Sequence, residues 1–159
     1  MFAGIRTLFT HCVWTDDLSG FDPELHSLTH CAVSNRLLSK CTLNLRAALD
    51  VGANINIGTD GLSSNISLNF LDELRANLLI HAEFDPLDFA KILLLSSTQN
   101  AASALNLDAG EIKTGKLADL ALYGGFADAD ATQLPLMLIL HARGCERLFV
   151  GGAEINLND

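Results

Sequence analysis

Three short runs of apolar and β-branched residues, 6–14, 27–33 and 54–60, constrain this chain most, because helical periodicity falls between and after them. Leu43, Ala47, Ala48 and Val51 recur at helical spacing, and Gly52 stands where a C-cap glycine belongs. Leu71, Leu74, Leu78 and Ala82 form the stripe of another helix ending near His81. Asp85 followed by Pro86 opens a third, carrying Phe89, Ile92, Leu93 and Leu95, and residues 98–105 form a fourth. The polar stretch from Asp16 and Asp17 through Pro23 leads into a short helix before the second run. Strands alternating with helices imply an α/β fold with parallel strands and crossover connections. Three such strands leave open edges, so the chain is either a small open sheet or a piece of something larger.

From Gly110 onward the pattern changes. Short strands are expected at 111–113, 118–123 and 147–150, with one helix at 134–142, which together predict a small β-rich unit. There is no internal repeat and no low-complexity segment.

Composition narrows the partners. Nearly half of the 159 residues are apolar (49%), enough to bury an ordinary core, and the net charge is -9. Without clustered Lys and Arg, the chain is expected to bind neither a nucleic acid polymer nor an anionic membrane surface. A small molecule, a metal cation or another protein fits better. The segment from Met1 to Thr10 lacks the apolar core of a secretory signal, and the run 134–140 is too short to span a bilayer. Four cysteines form no C-x-x-C pair; Cys12 and Cys31 sit in apolar runs, as reduced buried thiols do. The expected compartment is cytoplasmic.

Side chains alternate along a strand. Asp60 thus shares a face with Gly58, Asn56 and Asn54, while Ile55, Ile57 and Thr59 take the other. By the same rule His11 goes with Phe9 and Val13, and His30 with Leu28 and Ala32. His11, His30 and Asp60 all lie at or near carboxyl ends of strands, the edge where parallel α/β folds build their sites. A histidine in an apolar strand can equally be a core residue with a backbone partner, and Asp60 before Gly61 can be turn chemistry. Neither His11 with Cys12 nor His30 with Cys31 can face one ion from a regular strand, and no HxH, HExxH or C-x-x-C occurs. His26, His81 and His141 read as surface or helix-end residues. No P-loop, GxGxxG or GxSxG motif is present.

The motifs taken in order resemble one family. His11 and Cys12 close the first strand; His30, Cys31, Ser34 and Asn35 follow as H-C-x-x-S-N; Gly58, Thr59, Asp60, Gly61, Ser64 and Asn65 follow as G-T-D-G-x-x-S-N. This series is similar to the deaminase and chlorohydrolase branch of the amidohydrolase superfamily. Leu71 through Arg75 (LDELR) resembles the helix after that family's last barrel strand. Asn100-Ala101-Ala102, Gly110-Glu111-Ile112 and the G-K-L-A-D-L of residues 115–120 resemble its tail.

The resemblance implies the C-terminal strands and helices of a (β/α)8 barrel, from about the sixth strand (residues 1–107), plus part of a small β-sandwich (108–159). It implies one divalent metal, zinc or similar, with Asp60 as both metal ligand and catalytic group that takes a proton from the attacking water. His11 becomes the catalytic histidine on the leaving or oxyanion side. His30 is expected near the substrate, as are Ser34 and Asn35, which match the family's loop after the seventh strand.

The family's first-strand HxH, fifth-strand metal histidine and catalytic glutamate have no counterpart in these residues, so Asp60 is the one metal ligand retained. The chain alone is therefore expected to be inactive, part of an enzyme that deaminates an aminated purine nucleoside or related cyclic amidine, such as 6-aminodeoxyfutalosine. Its partners would be the small-molecule substrate and a missing N-terminal half or separate partner chain, with a homo-oligomer open. The alternative is a short noncatalytic α/β protein acting in binding or assembly.

Overall fold

A computed structural model describes residues 4–15, 17–126 and 128–157; Met1 and Asp16, named above, lie outside them. The backbone forms two compact units, Met1–His81 and Ala82–Asp159.

The first unit holds a parallel sheet in the order β1 (Thr7–Thr10), β2 (His26–His30), β3 (Asn54–Ile57). Between β2 and β3 run α1 (Ala32–Ser39) and α2 (Leu45–Asp50), and α3 (Phe70–Ile80) follows β3 and packs on α1. Pairing sets Phe9 beside Leu28 and Leu28 beside Ile55, then His30 beside Ile57. Paired residues share a face, so Leu28, Ile55 and Ile57 line one side, buried with Ala32, Leu43, Leu45, Ala48, Leu71 and Leu74. Thr29 and Asn56 pair on the opposite side, where the Thr29 hydroxyl donates to Asn56 Oδ1 at 2.7 Å. This register puts His30 on the helix-covered face.

All three strands are shorter than their apolar runs. β1 stops at Thr10 because His11 and Cys12 adopt left-handed backbone (φ 70° and 48°), which no strand can continue. The face assigned to His11 by alternation therefore does not hold. β2 stops at His30 because α1 begins at Ala32, so Ser34 and Asn35 stand in the first turns of a helix, not in a loop. No helix precedes β2 among the described residues: 23–25 are turns. Gly52 is left-handed (φ 72°) after α2, as its C-cap position requires.

The second unit contains α4 (Pro86–Ser97), α5 (Gln99–Ala104) and α6 (Leu134–His141), with α4 packed against both others. Asp85 caps α4 by accepting from the backbone N–H of Leu87 and Asp88. An antiparallel sheet orders β4 (Leu120–Leu122), β5 (Arg147–Val150) and β6 (Ala153–Ile155). Arg147 grips Glu154 with two hydrogen bonds of 2.7 and 2.9 Å and lies over the Phe149 ring. The compact units divide after His81, with α4 packed on α5 and α6 in the second, while the boundary expected from the resemblance is after residue 107.

The strand expected at 111–113 does not form. Those residues find no strand partner, Ile112 is 92% exposed, and Lys116 turns back onto the carbonyl of Lys113. Strand β6 escaped the sequence reading, although Gly151-Gly152, both at positive φ, is a strong two-residue hairpin signal. No helix among the described residues is long and apolar enough to cross a membrane.

Gly110 has φ +84°, and a Cβ there would stand 2.6 Å from the carbonyl oxygen of Thr98; Gly115 has φ +94° and open space around it. Both alanine substitutions incur the left-handed penalty of about 1–2 kcal/mol. Gly110→Ala is expected to cost clearly more, since backbone must also move, and paired urea titrations of the two variants measure the difference.

Candidate active site

His11 and Asp60 are two of five non-glycine residues with left-handed backbone among those described; Asp60 has φ 58°. Aspartate, asparagine and histidine tolerate this region best, and such conformations concentrate at functional sites. Each lies just beyond the carboxyl end of its strand, His11 after β1 and Asp60 three residues after β3. The turn brings His11 Nε2 to 3.9 Å from Asp60 Oδ2, and the Asp60 side chain stays 35% exposed.

Asp60 is held by short local contacts. Its Oδ2 accepts from the hydroxyls of Ser34 (2.6 Å) and Ser64 (2.8 Å), and its Oδ1 accepts from the Gly61 N–H at 2.9 Å. These donors, Ser34 foremost, hold the carboxyl below the usual carboxylate range, with a smaller contribution from His11. Asp60 is therefore an anion at neutral pH. A carboxylate offers about four lone-pair sites, so three bonds leave Oδ1 free capacity to bind a cation or a water.

Ser34 and Asn35 come from the start of α1, and that start is secured from elsewhere. Its N-cap residue, Cys31, makes no side-chain cap bond, and the first turn carries no acidic residue. Glu73 of α3 does the capping instead: its Oε1 accepts from the Val33 N–H at 3.2 Å. Its Oε2 accepts from Asn65 Nδ2 at 2.8 Å, and the same Nδ2 donates to the Thr59 carbonyl at 2.6 Å. Glu73 is 1% exposed, and burial raises its pKa although these donors oppose the shift. One carboxylate thus joins α3, the start of α1 and the loop that carries Asp60.

The remaining site residues extend inward. Asn35 Oδ1 lies 2.8 Å from His11 Nδ1, and Asn35 Nδ2 lies 3.3 Å from His30 Nδ1. His30 Nε2 lies 2.9 Å from His81 Nε2. His30 is fully buried, and burial first, then His81 and His11, draw its pKa down to about 3. His81 stands at the C-cap of α3, the helix-end position expected, but it is buried rather than on the surface. His26 is buried too: its Nδ1 accepts from the Asp22 N–H at 2.9 Å, and its ring packs edge-on against Phe9 and Phe21. His141 is exposed at the end of α6. Cys31 is buried, and its thiol pKa is pushed up to about 12, chiefly by burial, which keeps it protonated.

The structure therefore brings His11, Ser34, Asn35 and Asp60 together, with His30 behind them. Sequence reasoning assigned no role to Ser64, Asn65, Glu73 or His81. A signal existed for two of them: Glu73, Asn77 and His81 are spaced four apart and share one face of α3, and all three are buried. Among the described residues no three His, Cys, Asp or Glu side chains converge to hold a metal ion. Zinc takes three or four such ligands. Of these donors, the Asp60 carboxylate, with free capacity at Oδ1, could hold a metal ion as one ligand.

The chain matches the amidohydrolase family over residues 1–154. It is 42% identical over 159 residues to an adenosine deaminase of Helicobacter pylori, covering 98% of this chain and 39% of that protein. The crystal structure of a Helicobacter pylori aminofutalosine deaminase in complex with methylthio-coformycin superposes with a TM-score of 0.88 at 42% identity, over 95% of this chain and 38% of that one. An adenosine deaminase from Xanthomonas campestris with bound zinc shares the fold at 23% identity and a TM-score of 0.73, over 92% of this chain and 36% of that one. The chain thus spans about two fifths of the length of these relatives.

Removing the Glu73 carboxylate strands buried donors at Val33 and Asn65, each worth about 1–3 kcal/mol. Glu73→Ala is expected to lower unfolding free energy by about 2–5 kcal/mol, read from urea titration.

Acid should act through His30. Its folded pKa of about 3 lies below the ordinary 6.5, so the unfolded chain takes up the proton first. The neutral ring's contribution is intact above about pH 6.5 and is lost as pH falls toward 3, at about 1.4 kcal/mol per pH unit. Urea midpoints at about pH 7 and 5 should fall further for the wild type than for His30→Gln.

Proposed function

Because this chain belongs to the amidohydrolase family, we propose that it supplies the sixth-to-eighth-strand part of a metal-dependent hydrolytic deaminase. The observation that carries this reading is the pairing of an anionic Asp60, held by three donors, with the His11 ring 3.9 Å away at the same strand edge.

In this reading Asp60 is the metal ligand contributed here, with zinc the preferred ion, and the remaining ligands come from polypeptide outside these 159 residues. The metal, when bound, supplies Lewis acidity that lowers the pKa of water. Asp60 takes a proton from the attacking water and returns it to the leaving amine. His11 attends the oxyanion or leaving side. Water adds at the amidine carbon, the C–N bond breaks, and ammonia leaves. Ser34 and Ser64 keep the Asp60 carboxylate in one rotamer, and Asn35 does the same for the His11 ring. The substrate is an aminated purine nucleoside or related cyclic amidine, with 6-aminodeoxyfutalosine the leading candidate. The identity to deaminases of that chemistry over nearly all of this chain supports it.

A chimera provides the test. The matching stretch of the Helicobacter pylori relative is replaced by residues 1–159, and ammonia release from 6-aminodeoxyfutalosine and adenosine is followed. The folded chimera is expected to turn over, to lose activity to a chelator and to recover it with zinc. Asp60→Asn should lower kcat by roughly 10²–10⁴-fold. The 159-residue chain alone should release no ammonia. Turnover by the chain alone that disappears in Asp60→Asn would overturn the placing of the other ligands outside it.

A further inference from the structure

Beyond the reacting pair lies a line of buried polar groups for which the hydrolytic chemistry has no direct use. It runs from His11 through Asn35 and His30 to His81, across 2.8, 3.3 and 2.9 Å. We propose that Asn35, His30 and His81 are positioning residues that form a directional hydrogen-bond relay, fixing His11 as the tautomer protonated at Nδ1 and leaving Nε2 to face Asp60 and the reacting water. The functional half of this statement rests on the reading of His11 and Asp60 as reacting groups; the tautomer half stands on the geometry alone.

Direction enters at Asn35. A carboxamide has one end that only accepts and one that only donates, so it cannot serve two imidazoles in the same way. Its oxygen faces His11 Nδ1, which must therefore carry a proton. Its NH2 faces His30 Nδ1, which must therefore be bare. A neutral His30 then carries its proton on Nε2. That nitrogen meets Nε2 of His81 at 2.9 Å, a distance at which one nitrogen donates and the other accepts. His81 accepts, so its own proton sits on Nδ1.

Burial disfavours a charge on His30 and leaves tautomer choice as its remaining freedom. Turning the Asn35 amide over would reverse all three assignments together. The orientation in the structure is the one that gives the partly exposed His11 ring an acceptor at Nδ1. The nitrogen left to face the Asp60 carboxylate is then Nε2, 3.9 Å from Oδ2. The relay also explains why a fully buried histidine ends β2: it holds the amide that holds the reacting ring.

Long-range ¹H–¹⁵N correlation spectra of the ¹⁵N-histidine-labelled chain at neutral pH read each ring nitrogen as pyrrole-type (protonated) or pyridine-type (bare), and five histidines make assignment practical. The wild type should show pyrrole-type Nδ1 on His11, pyrrole-type Nε2 on His30 and pyrrole-type Nδ1 on His81. In Asn35→Asp the side chain can only accept, so His30 must move its proton to Nδ1, and His81 must move its own to Nε2. A switch at His81, two links from the substitution, is a signature that loss of packing does not produce. Pyrrole-type Nε2 on neutral wild-type His11 overturns the proposal, as does a folded Asn35→Asp protein with unchanged His81. If that variant does not fold, the wild-type spectrum alone decides. No metal or substrate is needed, so an inactive chimera would remove the hydrolase reading and leave the tautomer assignment to be judged by the spectra.

Discussion

The Glu73 carboxylate is the interaction on which the rest of the first unit depends. A helix start leaves backbone N–H groups without partners, and α1 has no side chain of its own to satisfy them. Glu73 meets that need from α3 at Val33, and through Asn65 it also fixes the carbonyl of Thr59, immediately before Asp60. Burying a carboxylate is costly, and its raised pKa records that cost. The return is geometric. The two elements that hold the candidate residues, α1 and the 59–65 loop, are referenced to one point on α3.

Much of the scaffold was legible in the sequence because it follows local rules. Gly52 as a helix stop, Asp85 with Pro86 as a helix start, and the helix ending at His81 each depend on chemistry within a few residues. The parallel sheet was expected from strands alternating with helices, which holds between β2 and β3 but not between β1 and β2 among the described residues. Asp60 and His11 stand out as candidates through motif spacing, which does not require knowing where the side chains point, and they lie 3.9 Å apart.

What remained hidden depends on contacts distant in sequence or on backbone sign. Strand alternation placed His11 beside Phe9, but a left-handed residue breaks alternation, and nothing in the apolar run 6–14 announces that break. His30 faces the helices because its β2 register sets it beside Ile57, information that exists only once the strands pair. Ser34 and Asn35 were expected in a loop, since the helix that carries them is capped from 40 residues away. The strand expected at 111–113 fails for the converse reason: its place in a run of short segments after Gly110 suggests a strand, yet no strand neighbour pairs with it.

Ser34 and Asn35 are consecutive residues of one helical turn, so their side chains leave α1 about 100° apart, one toward Asp60 and the other toward His11. Asp60 and His11 consequently share a single mechanical support. A small rotation or slide of α1 would displace both contacts together, and in proportion. His11 and Asp60 have fewer independent ways of shifting apart than two separately anchored residues would, and perturbations reaching α1 should appear as correlated drift in the alignment of both.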